Sequence, residues 1–109
     1  MARVVAIVSD LMLASRVTTS LAAAGHEVEQ ESSIPAELDG VDLVVADLDA
    51  VDPEELGPLK LPVLGFYQHT DVATKERAEA SGLALAVPRS RMVRELPELA
   101  ERLLSDSAG

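Results

Sequence analysis

The sequence predicts an α/β protein built on a doubly wound, five-stranded parallel sheet of order 2-1-3-4-5, with shortened second and third helices. Three observations carry that expectation. Short apolar runs alternate with segments of helical character, which is the pattern of repeated βαβ units. The runs Val4-Val5-Ala6-Ile7-Val8 and Leu43-Val44-Val45-Ala46 are continuous rather than alternating, as in strands buried on both faces. The chain has 109 residues, which is room for one domain, 1–109, and at that size this strand order is the economical one.

The elements follow in order. Residues 4–8 form the first strand, ending at Ser9-Asp10. Residues 11–24 are helical, with Leu13, Val17, Leu21 and Ala24 at helix spacing and Gly25 as the stop. The stretch 26–31 alternates and reads as an edge strand with one wet, charged face. Residues 33–40, with Pro35 and Gly40, leave room for about one or two helical turns. The third strand, 42–47, ends in Asp47, with Asp49 just beyond. Asp52-Pro53-Glu54-Glu55 is a helix start that Gly57-Pro58 cuts off almost at once. A fourth strand covers 61–67. Thr70 or Asp71 caps a helix running to Ser81, and Gly82 ends it. The fifth strand is 83–87. A closing helix spans 90–105 with Val93, Leu96, Ala100, Leu103 and Leu104 on its apolar face. Pro97 is expected to divide that helix, and 105–109 to be a frayed tail.

Composition excludes several classes. There is no Cys, so thiolate metal sites, disulfides and a cysteine nucleophile are absent. The net charge is −10, which repels nucleic acid and anionic membranes. The apolar run after Arg3 is too short for a signal peptide, and no stretch approaches the roughly 20 apolar residues of a membrane span. A cytoplasmic protein is the expectation.

In the predicted order the first and third strands are neighbours, so Asp10 and Asp47 lie on one rim with Asp49 beyond. Converging carboxylates need a cation, a proton or water between them, and Mg²⁺ suits one or two carboxylates with phosphate oxygens. The simpler role for Asp10 is to cap the following helix.

Over nearly its whole length the chain resembles the response-regulator receiver family of two-component signalling, which has the flavodoxin-like fold. The residues that carry the likeness are Ser9-Asp10, Ala24-Gly25-His26-Glu27-Val28, 42–47 and Pro62-Val63. The resemblance implies that Asp47 is the phosphoacceptor, that Asp10 belongs to an acidic pair holding Mg²⁺, and that Asp49 lends the metal a carbonyl. The sequence departs from the family at four places. Ser9 stands where the second acid belongs, and Tyr67 and Gln68 stand where small residues belong. Pro88 occupies the place of a lysine, with Arg89 beside it. The expectation is therefore a degenerate receiver, a pseudo-receiver. It reads as a stand-alone, non-enzymatic signalling or interaction module in which Ser9, Tyr67, His69 and Arg89 line or read out the pocket.

The alternatives are a true receiver phosphorylated on Asp47 and, less favoured, a small Mg²⁺-dependent phosphatase with Asp47 as nucleophile and Asp49 as acid/base. No Gly-rich phosphate loop is present, and a flavin would lack its flanking aromatics. His26 reads as a surface turn residue. Arg16, Arg89, Arg91 and Arg94 read as partners of local carboxylates. The clipped helices leave one sheet face thinly covered, which predicts docking of a protein partner or a second copy there.

Overall fold

The computed structural model describes residues 2–68 and 71–108, with 107 and 108 described by their backbone alone. The strands are β1 (Arg3–Ile7), β2 (Glu27–Glu31), β3 (Leu43–Asp47), β4 (Val63–Tyr67) and β5 (Leu85–Pro88). They form one parallel sheet in the predicted order, β2-β1-β3-β4-β5. The helices are α1 (Leu11–Ala23), α2 (Pro53–Leu56), α3 (Val72–Ala80) and α4 (Arg89–Ala108). Gly25 and Gly82, both at positive φ, follow α1 and α3 where the sequence predicts their stops.

The two-residue period of the strands sorts the core into two layers. Val4, Ala6, Val8, Leu43, Val45, Leu64 and Phe66 pack under α1 and α4. Val5, Ile7, Val44, Ala46, Val63 and Tyr67 pack on the opposite side with Leu56 and Ala78. No helix joins β2 to β3, so the expected shortening goes further there. Pro35 disfavours the helical conformation at Ile34, and the four residues before Gly40 are too few to nucleate a helix. The connection still covers the sheet, because Ile34, Leu38 and Val41 pack on the second layer. Val5 and Ile7 beneath it are 1% and 0% exposed, so the expected thin face is covered by the chain's own loop.

α4 is continuous through Pro97, which corrects the expected division, and its helical backbone extends to Ala108, past the expected end at 105. Proline costs about 3 kcal/mol in a helix interior. Beyond it Leu99 and Leu103 are buried, at about 1.5–3 kcal/mol each, which outweighs the break. Pro88 is tolerated because β5 is an edge strand.

His26 is not a surface residue. It is buried, its Nδ1 accepts from the Ala2 amide at 3.2 Å, and its Nε2 lies 3.0 Å from Glu101 Oε1. That arrangement puts the proton on Nε2 and ties the starts of β1 and β2 to α4.

Candidate functional site

Asp10 and Asp47 lie at the same, carboxyl end of the sheet, as predicted. Ile7, the last residue of β1, pairs with Ala46, one residue before β3 ends at Asp47. Asp10 is the N-cap of α1, where its Oδ1 accepts from the amides of Met12 at 3.0 Å and Leu13 at 3.2 Å. Its Oδ2 lies 3.4 Å from Nη2 of Arg89, the first residue of α4. The Leu13 amide above all, then the Met12 amide and Arg89, hold the Asp10 carboxyl below the ordinary carboxylate range.

Asp47 ends β3 and is only 9% exposed. Its Oδ1 accepts from the Asp49 amide at 2.9 Å. Burial raises its pKa, and the negative charges of Asp49 and Asp10 add to the rise; the Asp49 amide and the Arg89 charge oppose it. Arg89 is thus the cation whose charge both acids feel. It follows β5 directly: Pro88 pairs with Tyr67 as the last strand residue and Arg89 opens the helix.

The other expected site residues separate. Tyr67 is 4% exposed and belongs to the second core layer, facing away from the α1 and α4 side. Ser9 is exposed beside Asp10. Asp49 is exposed in the loop after β3. His69 lies outside the described residues, as does Thr70; Asp71 caps α3 by accepting from the Thr74 amide at 3.0 Å. Among the other arginines, Arg91 and Arg94 both pair with Glu95. Arg16 makes no ion pair among the described residues and lines a groove with Gln68, Arg89, Ser90 and Val93.

A divalent ion fits these residues poorly. No three His, Asp or Glu side chains come together as a ligand set among the described residues. One oxygen of Asp10 is held by two amides, its other by a guanidinium, and one oxygen of Asp47 by an amide. Mg²⁺ sheds water reluctantly and does not displace such partners readily.

One feature escaped the sequence reading. Leu11 and Met12 are 77% and 82% exposed, and Val72 is 63% exposed. All three sit in the first turns of helices that leave this same end of the sheet. The local signal exists: Leu13, Val17 and Leu21 define the buried stripe of α1, and Leu11 and Met12 fall off it.

No family model matches the sequence, and no curated protein matches it closely enough to count as a relative. Solved structures do match. A response-regulator receiver domain protein from Clostridium thermocellum superposes with a TM-score of 0.85 at 15% identity, over 99% of this chain and 98% of that one. The chain has the fold of a response-regulator receiver domain. The non-phosphorylated HemR receiver domain of Leptospira biflexa matches at TM-score 0.80 and 22% identity, over 96% and 95% of the two chains. NtrX from Brucella abortus matches at 0.84 and 20% identity, over 98% of this chain but 27% of that one, so there the receiver fold is part of a larger protein. On this receiver fold Asp47 stands at the end of the central strand and Arg89 at the start of the last helix. No described helix is long and apolar enough to cross a membrane.

The Asp47 environment predicts a pH-dependent gain in Asp47→Asn. Below 3.8, the ordinary value, the carboxyl is neutral both folded and unfolded and costs nothing. As pH rises through the raised folded value, the native state must carry a buried charge that the unfolded chain carries more easily, so stability falls. Asparagine keeps the acceptor for the Asp49 amide without the charge. The variant is expected to match wild type in acid and to exceed it in stability at neutral pH. Denaturant midpoints at the two pH values check this; an equal midpoint at both would mean that the Asp47 charge is well solvated.

Proposed function

We propose that the chain is a cytoplasmic, receiver-like signalling module that acts by protein contact rather than by turnover, with Asp47 a poor phosphoacceptor. The observation that supports this reading is the state of the rim's charges. Phosphoryl transfer depends on positioning and on neutralising the charge of the moving group. Here Ser9 replaces an acid, and Arg89 is engaged with Asp10. Exposed Leu11, Met12 and Val72 surround the same end of the sheet and supply apolar surface for a partner protein. A second copy of the chain is the other candidate occupant, and sedimentation at high concentration separates the two. The net charge of −10 argues against nucleic acid.

Incubation with acetyl phosphate and Mg²⁺, read by intact mass, tests the phosphoacceptor part. Transfer would join an Asp47 carboxylate oxygen to phosphorus and release acetate. Modification of a small minority of chains is expected. Complete conversion, abolished by Asp47→Asn, would establish instead a working receiver phosphorylated on Asp47.

A further inference from the structure

We propose that Arg89 is the built-in cation of the rim, doing for Asp10 and Asp47 what a divalent ion does between converging carboxylates. Asp47 ends β3 and Asp10 follows β1 as the cap of α1, so both acids lie at the carboxyl end of the sheet in a chain that already carries −10. Their repulsion has to be met by a proton, an ion or a side chain. The Arg89 guanidinium lies 3.4 Å from Asp10 Oδ2, and its charge is felt at Asp47.

Its position is fixed by backbone on both sides. β5 ends at Pro88, paired to Tyr67, and α4 begins at the next residue, so the Arg89 backbone is held at the rim and its half-exposed side chain reaches Asp10. Asp10 is equally fixed by its two cap hydrogen bonds. The guanidinium is always charged, so this neutralisation does not vary with pH or with the metal content of the solution. A divalent ion would have to displace it from Asp10 and lose water in doing so. The rim is therefore set for a metal-independent resting state. This inference does not depend on whether Asp47 accepts a phosphoryl group.

Metal titration of the 109-residue chain tests it. MgCl₂ and MnCl₂ are added to wild type, Arg89→Ala, Arg89→Gln and the double variant Arg89→Ala/Asp10→Asn. Calorimetry reads binding, and Mn²⁺ broadening of the Asp10, Asp47 and Asp49 amide resonances reads its place. Arg89→Gln keeps bulk and hydrogen-bonding capacity without charge, and it serves if the alanine variant does not fold. Wild type is expected to show no saturable Mg²⁺ binding at the rim. Removing the charge is expected to create a site there at least about tenfold tighter than any binding by wild type, lost again in the double variant. Mg²⁺ binding by wild type as tight as by the variants overturns the proposal. So does the absence of binding in every variant, because Arg89 would then not be what keeps the ion out.

Discussion

Phe66→Ala is expected to cost about 3–5 kcal/mol, the range for emptying a buried aromatic site, out of a total of about 5–15 kcal/mol for a domain of this kind. Phe66 is the chain's one phenylalanine and is 1% exposed in the central strand pair β3–β4. It shares the first core layer with residues of α1, α4 and β1, so the cavity would open where three elements meet and collapse would be poor. The register also sets Phe66 beside Asp47 on the same face of the sheet. The substitution should therefore let water reach Asp47 and bring its raised pKa back toward the ordinary 3.8. Urea denaturation gives the stability loss. If the variant stays folded, the carboxyl chemical shift of Asp47 against pH gives the second effect. A loss below about 1 kcal/mol would mean that the layer repacks around the gap.

Gly57→Ala should destabilise by about 1–3 kcal/mol, the cost of overpacking a close contact. Gly57 follows α2 with ordinary right-handed helical φ and ψ, so alanine there would by itself stabilise through the unfolded chain by about 0.4–1 kcal/mol. The tertiary contact reverses the sign. A Cβ at Gly57 would stand 2.4 Å from the carbonyl oxygen of Ser81 at the end of α3. That oxygen belongs to backbone and has no rotamer to change. The same junction is tied by Arg77, whose Nε and Nη2 donate to the two carboxylate oxygens of Glu54 and whose Nη2 lies 3.5 Å from Asp52. These pairs are exposed and weak, so they hold orientation more than they stabilise, and they will not absorb the shift. Thermal denaturation checks the sign, and a variant more stable than wild type would show that α2 and α3 can part at little cost.

The two glycine readings show where local logic stops. Gly25 ends α1 at positive φ, a requirement of the residue itself, and the sequence pattern located it. Gly57 stands in the sequence as a helix breaker before Pro58, but its need for a missing side chain comes from Ser81, far along the chain. His26 is the same case. Its neighbours read as a surface turn, yet Ala2 and Glu101 enclose it. Tyr67 was expected at the pocket, and strand parity sends it into the core instead. Arg89 and Asp10 are separated by 79 positions, and only the chain's closure brings them together.

The order of strands, the burial of β1 and β3 on both faces, and the placing of Asp10 and Asp47 at one end were determined by the sequence alone. Apolar runs, helix stops and caps act between near neighbours, and the right-handed crossover rule turns their order into a topology. The helix-free β2–β3 connection, the continuity of α4 through Pro97, the burial of His26 and the pairing of Arg89 with Asp10 were decided only by tertiary structure. Each balances a local cost against contacts with residues distant in the chain, and that balance is settled by packing, which no short window of sequence contains.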